Sequence, residues 1–509
     1  MRQPIFLFIC FMFFAGVSFA QETDVVLSPY NKWNEAAYYR DNSLQHTAFH
    51  YHLYIDTSVQ RSEGSVWKRK IFNEHLLTFG QDEFHLFVDF LPDFQIGTSS
   101  GRKGSNRFWN NTRGFRISGN VGKKIYFESE DYEIQESLPG YVDSSARKLT
   151  VVPRLGNHHK ITDNGVYDLN YASARLVYMP TNAVQFELGY GKNFIGDGYR
   201  SMLLSDWSFN YPYLRATLQT KAIEYSVMWS QYVNPGNAIS TNDISYPRKW
   251  GQTFYIDWHF AKHGNVGLME SIVWPDQTAD GEKDIAATMF SPVIFLHGTH
   301  SPSGIENYTL TGLNAKYEIL PQTFLYGQLA YSNFLRSNWK QKYAFQLGLR
   351  SADIFQVKGL SFIGEFDRAK PYMYAGNAEG IDYSHYNQTL ADPFGNNFKE
   401  AVAVVNYRIK KWTFRGEALY SSYFRNSAIT PAYLNAGGSI FGALPGTPGI
   451  KTKLHYGDLR AGYLLNPKIN LRIEGGITVR KSSDVNGSFK DNIFVLGLRS
   501  SFRDLIEDF

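Results

Sequence analysis

Segments that alternate apolar and polar residues, joined by connections that are by turns short and long, run through most of this 509-residue chain. Within 469–480, Ile469, Leu471, Ile473, Ile477 and Val479 fall on one face, and Asn470, Arg472, Glu474, Thr478 and Arg480 on the other. Trp412, Phe414, Ala418 and Tyr420 separate likewise from Thr413, Arg415 and Glu417, and Leu360, Phe362 and Phe366 from Ser361 and Glu365. A period of two marks strands, because successive Cβ atoms point to opposite faces. Sandwich strands alternate too, so the connections must decide. Short ones (NVGK, MPTNA, LPQT, IKK, LNPK) are interleaved with long ones near 92–112, 131–170, 191–210, 233–249, 274–307, 369–398 and 422–454. About 18 strands fit between residue 83 and the C-terminus. An even strand count with short turns on one side and long loops on the other predicts an all-β fold, a transmembrane antiparallel β-barrel.

Composition agrees. The chain has 34 Tyr, 38 Phe, 10 Trp and 43 Gly, yet its mean hydropathy is −0.33. Alternating faces hide barrel hydrophobicity from an average, and no segment after residue 20 has the ~20 apolar residues of a membrane helix. The opening MRQPIFLFICFMFFAGVSFAQ carries Arg2, an apolar run from Ile5 to Val17, and Ser18 and Ala20 before Gln21, which is read as an export signal cleaved after residue 20. The single cysteine, Cys10, lies within it, so no disulfide or cysteine-ligated metal is expected in the mature chain. Removing Arg2 takes the formal charge from +4 to +3, and no basic block marks a nucleic-acid partner.

Residues 21–82 are read as an N-terminal periplasmic helical segment and 83–509 as the outer-membrane barrel. Ser28-Pro29 offers a helix start. Ser65 offers another, for a helix sharing Trp67, Ile71, His75, Leu76 and Phe79 on one face and ending at Gly80. These helices are expected to plug the mouth of a barrel wide enough for an aqueous lumen. At the other end Phe494, Leu496, Leu498 and Phe502 share a face and the chain closes on Phe509, which resembles the insertion signal of outer-membrane barrels.

The stretch GYGKNFIGDGYRSMLLSDWSFNYPYLR, 189–215, first raises a phosphate-binding loop. A dinucleotide fingerprint would need glycine where Phe194 stands, and a P-loop would need Ser or Thr where Asn193 stands. On the barrel topology, 191–210 is instead a long outward loop between the fifth and sixth strands. NFIGDGYRSMLLSD followed by YPYLR resembles the signature region of the Wzi-like capsule-assembly family of outer-membrane barrels. GEFDRAKPYMYAGNAEGIDYSHYNQTLADPFGNNFKE, 364–400, is similar to versions from the Bacteroidetes branch, which includes gliding-motility RemB-like proteins. The resemblance implies an 18-stranded barrel plugged by N-terminal helices, acting as a surface lectin that tethers capsular polysaccharide. Carried onto this sequence, it marks Asp197, Tyr199, Arg200, Ser205, Asp206 and Tyr211 as polysaccharide-binding positions. In the second segment it marks Glu365, Arg368, Tyr383, His385, Tyr386, Asn387, Asp392, Asn397 and Glu400. Trp207-Ser208-Phe209 stands where the family usually has small polar residues.

The residue types suit a glycan, since planar carboxylate, amide and guanidinium groups pair with hydroxyls and aromatic rings face sugars. The same residues also make turns, interfacial girdles and ion pairs across a lumen. His158 and His159 are adjacent and alternate faces, so they make no metal site, and none is expected elsewhere. His297, His300 and Ser301 lack a nucleophile elbow. Glu365 and Asp367 share a face like a glycosidase pair, but Arg415 and Arg472 across the lumen are the simpler partners. The expected protein is therefore non-enzymatic, without a cofactor, and meets outer-membrane lipid, surface polysaccharide and gliding or capsule-export machinery. The rival readings are a motility or adhesion accessory and a diffusion porin.

Overall fold

The computed structural model describes residues 64–509 except 82, 157–159, 162–164, 235–245, 262, 279–280, 283–290, 296–306, 333–341, 377–380, 427–439, 442–448 and 504–507. It also describes two short strands, Asp24–Pro29 and Tyr51–Asp56, which pair with each other.

Eighteen antiparallel strands close into one barrel. The first six are β1 (Phe84–Ser99), β2 (Arg107–Val121), β3 (Ile125–Glu136), β4 (Tyr167–Thr181), β5 (Val184–Gly191) and β6 (Tyr211–Gln219). Next come β7 (Ile223–Val233), β8 (Arg248–Ala261), β9 (Gly264–Pro275), β10 (Tyr308–Leu320), β11 (Thr323–Ser332) and β12 (Tyr343–Ala352). The last six are β13 (Leu360–Ala369), β14 (Phe398–Ile409), β15 (Trp412–Arg425), β16 (Ile450–Asn466), β17 (Leu471–Asp484) and β18 (Gly487–Arg499). Each pairs with its neighbours in sequence, and β18 pairs with β1 over the seven residues from Ile493↔Ser99 to Arg499↔Asp93. The lower edge of β1 is covered by a short strand, Leu77–Gln81. Side chains bolt both ends of the closing seam. Ser99 Oγ and the Gly101 amide donate to Asp491, while Arg499 and Arg503 donate to Asp93.

The wall is apolar outside and polar inside. Ile96, Leu188, Leu347, Leu459, Phe494 and Leu496 are exposed on its outer face, whereas Asp93, Arg116, Glu187, Arg215, Glu365 and Glu474 are buried within. That inversion places the barrel in lipid, and an outer membrane is the bilayer such barrels occupy. Trp258, Phe260 and Tyr317, and Tyr407, Phe414, Trp412 and Tyr463, form ring clusters near the short turns, at an interfacial girdle. The topology rule turns the long loops outward. No helix among the described residues is long and apolar enough to cross a membrane.

Three expectations change. Ser28-Pro29 starts no helix but ends the strand Asp24–Pro29, where proline at a strand end gives up little of the ladder; the 31–40 stretch lies outside the described residues. The helix capped by Ser65, α1 (Val66–Phe72), stops at Asn73, well before Gly80. Asp89 on the wall takes the His75 ring at 2.6 Å and the Leu76 amide at 2.9 Å, and the chain leaves the helix to pair with β1. Helix α1 buries none of its residues; Asn466 at the short-turn end of β16 holds it through the Lys70 and Glu74 carbonyls. Among the described residues, the segments that fill the lumen come from elsewhere in the chain; the rest of 21–63 lies outside the described residues.

Candidate functional site

Four segments fill the lumen. Among the described residues, one is 137–156, with helix α2 (Gly140–Leu149); the others are 192–210, 370–376 with 381–397, and 500–503 with 508–509 of the tail after β18. The 192–210 loop does join the fifth and sixth strands, but it folds inward, and all of it is buried except half-buried Tyr199 and Asp206. Apolar residues explain the direction: Phe194, Ile195, Met202, Leu203, Leu204, Trp207 and Phe209 have no place in water. Phe209 packs with Tyr141, Val142, Ala146 and Leu155 of the 137–156 segment, and Leu203 and Leu204 pack with Met373, Tyr374, Tyr383 and Leu390 of the 370–397 loop.

The glycine motif now has a purpose. Ile195 and Leu204 bridge, and Ser201 Oγ closes the bend by donating to the Ile195 carbonyl and accepting from the Leu203 and Leu204 amides. Gly196 has φ +139°, and a Cβ there would lie 2.2 Å from Gln328 Nε2. A Cβ on Gly198 would lie 2.3 Å from Glu365 Oε2. That close approach lets the Tyr199 and Arg200 amides donate to Glu365 Oε2 and Oε1, both at 2.9 Å. A glycine-rich loop thus cradles an anion, as such loops do for phosphates, but the anion is the protein's own carboxylate. Tyr326 adds a third donor at 2.8 Å. Arg415 and Arg472, expected to face Glu365 and Asp367, serve Glu417 and Glu474 on their own strands. The plug reaches Glu365 first because its backbone can come closer than a side chain from the far wall.

Arg200 is the hub. Its Nε donates to Glu400 at 2.9 Å and lies 3.8 Å from Asp392, and its Nη2 lies 3.0 Å from Asp508 in the tail. Burial works against its charge, but Asp508 and Glu400 outweigh it and hold the guanidinium firmly protonated. Tyr199 donates to Asp508 at 2.9 Å, and burial followed by Asp508 and Glu417 pushes its phenol well up. Asp197 is fixed by Lys316 at 3.2 Å and Asn314 at 3.1 Å. Ser205 joins the two signature segments, its amide donating to the Leu390 carbonyl at 2.7 Å and its hydroxyl to that of Ala391. Asp206 takes Arg154, whose own amide donates to Gln388.

His385 is a second keystone. Its Nε2 meets the Asn210 carbonyl at 2.9 Å and its Nδ1 accepts from the Val233 amide at 2.9 Å, which specifies a neutral ring protonated on Nε2. Burial pushes the imidazole down to about 3; Lys249 and Lys192 add to this, against the pull of the carbonyl. Tyr211 stands edge-on to it at 5.7 Å. Tyr383 stacks between Tyr308 and Tyr374, and Asn387 donates to the Leu149 carbonyl. Tyr386 is half-buried on Phe209.

Ten of the fifteen marked positions are buried; seven lie within the plug, and Tyr211, Glu365 and Glu400 on the wall that faces it. Asn397 is half-buried at the long-loop mouth, its amide donating to the Lys370 carbonyl. Arg368 alone is exposed. It faces outward on β13 opposite Lys399, away from the other fourteen. Asp508 and Glu417 were not legible as partners, since Asp508 lies 308 positions from Arg200, Glu417 lies 218 from Tyr199, and each meets its partner only through the fold. The tail also alters the reading of the C-terminus. The last strand ends at Arg499, Phe502 turns inward beneath Arg116, and Phe509 packs on Tyr141 and Trp207 at 5.7 and 5.0 Å. Phe494 and Leu496 do face lipid as expected. His158, His159, His297, His300 and Ser301 lie outside the described residues.

No family model matches this chain, and no curated protein matches it in sequence. Among solved structures it is similar to Wzi of Escherichia coli, described as an outer-membrane protein involved in group 1 capsule assembly and a carbohydrate-binding β-barrel. Identity there is 12% over 82% of this chain and 85% of that one, with a TM-score of 0.49. It is also similar to OprD of Pseudomonas aeruginosa, with 9% identity over 81% and 94% and a TM-score of 0.41. OpdK of the same organism, solved with vanillate, gives 10% over 81% and 97% and 0.43. At such likeness the task of this chain has to be argued from its own residues.

Proposed function

We propose that this outer-membrane barrel is a non-enzymatic, non-conducting surface protein that holds capsular or exopolysaccharide at the cell. The observation that supports the reading is the loop packing inside the lumen: the two segments resembling capsule-assembly barrels are the ones that interlock there, through Ser205 with Leu390 and Ala391 and through Arg200 with Glu400. A general diffusion pore has no use for such a plug. Polymer is then met at the outer mouth, where the half-buried rings of Phe394, Tyr423 and Phe441 lie beside Asn397. Aromatic faces with an adjacent amide suit a sugar ring and its hydroxyls, and the buried marked residues serve by holding that mouth in shape.

The test is the partition of extracellular polysaccharide between cells and medium in a deletion strain complemented with the wild type or with Phe394→Ala/Tyr423→Ala. Polymer should move to the medium in the deletion strain and stay there with the variant. An unchanged partition together with failed surface spreading would replace tethering by the motility-accessory reading.

A further inference from the structure

Asp367 on β13, Glu400 on β14 and Asp392 in the 370–397 loop bring three carboxylates together, each buried, with one oxygen of each within 4.8 Å of the others. Side-chain donors are scarce there. Arg200 takes Glu400 Oε1, stands 3.8 Å from Asp392, and also serves Asp508. No amide, hydroxyl or cationic side chain among the described residues donates to either oxygen of fully buried Asp367, whose side-chain partner is the carboxyl of Glu365. Its neighbour along the strand, Glu365, is another carboxylate, already supplied by two amides and a phenol. Glu400 Oε2 and Asp392 Oδ2 likewise accept no hydrogen bond.

Buried anions without donors demand compensation. We propose that Asp367, Asp392 and Glu400 bind a divalent cation, Ca²⁺ by preference, that pins the plug to the wall. The donors are all oxygen, which selects a hard ion over zinc or copper. Oxygens within 4.8 Å of one another can share an ion with bonds of about 2.3–2.6 Å, and a cage of protein oxygens suits Ca²⁺ better than Mg²⁺, which gives up its waters reluctantly. Counting Asp508, which shares Arg200, a divalent ion would reduce the net charge of the group from −3 to −1. The ion would join strand to loop, and so bears on whether the lumen stays shut; it does not depend on what the mouth binds.

The test uses the full-length protein purified in detergent, stripped with EDTA and dialysed against 1 mM or no CaCl₂, on the order of extracellular Ca²⁺ sites. Metal content should approach one Ca²⁺ per chain, and heat-induced unfolding should shift upward with Ca²⁺. Tb³⁺ added alone should show luminescence excited through tyrosine. Asp367→Asn should lose the Ca²⁺ shift while remaining folded without Ca²⁺, because its amide supplies the missing donor; Glu400→Gln is the second variant should that chain fail to fold. Glu187→Gln, on the opposite wall, should keep the response. Equal unfolding in Ca²⁺ and EDTA with no bound metal would overturn the proposal, leaving a proton shared between Asp367 and Glu365 as the compensation.

Discussion

Towards the short turns, Asp93 and Glu474 face three guanidiniums, those of Arg472, Arg499 and Arg503; in the plug, Asp367, Asp392 and Glu400 have Arg200 between them. Both clusters are buried in the same lumen. In the first, every carboxylate has its guanidinium: Glu474 is held by Arg472 at 2.7 Å and Arg499 at 3.0 Å, and Asp93 by Arg499 across the seam and by Arg503 just beyond it. The second joins wall to loop to tail and leaves oxygens without donors. The first cluster is thus saturated with guanidiniums where strands meet side by side, whereas closure of the lumen depends on contacts between loop, tail and wall that leave carboxylate oxygens short of donors.

The largest effect expected from breaking this contrast is at the hub. Arg200→Ala strands the carboxylates of Glu400 and Asp508, a loss of about 3–5 kcal/mol for a buried pair. Planar-bilayer recording should then show steady conductance absent from the wild type, whereas Arg499→Ala should lower the unfolding temperature without opening the lumen. A still-silent Arg200→Ala barrel would show that apolar packing alone closes it. Next is His385. Its value in the fold lies below that of the unfolded chain, so the unfolded chain binds the proton first and stability falls as pH drops from about 6.5 towards 3. The slope is about 1.4 kcal/mol per pH unit. Unfolding midpoints measured across that window should carry this slope in the wild type and lose it in His385→Gln. Gly198→Ala, whose Cβ meets Glu365 Oε2, should cost about 1–3 kcal/mol and speed hydrogen exchange at the Tyr199 and Arg200 amides. Smallest is Arg147→Ala on α2. Its exposed pair with Asp143 should be worth under ~1 kcal/mol in a chemical melt, well apart from the buried pairs.

The wall could be read from sequence because its code is local. Thr413, Glu417 and Ser421 face inward and Trp412, Phe414 and Tyr420 outward through a two-residue period that needs no knowledge of the rest of the chain. The short turns could be read for the same reason. The plug could not, because a long loop rich in Gly, Asp and aromatics has the same composition whether it faces water or fills a lumen. Met202-Leu203-Leu204 was the clue, a run of apolar residues at odds with an outward loop. The pairing of Glu365 with the 199–200 amides joins positions 166 and 165 residues apart, and no spacing rule spans that distance. The helix expected to run to Gly80 failed through competition, since Asp89 captures His75 and Leu76.

The seam between β1 and β18 has a mechanical meaning. It is the line along which a barrel would gape sideways, and its ladder is only seven residues long, against fifteen between β1 and β2. Asp491 clasps it near the outer rim and Asp93 near the inner one. A belt buckled at both ends resists peeling from either, so a pull on anything anchored at the mouth is shared around the hoop instead of unzipping first strand from last.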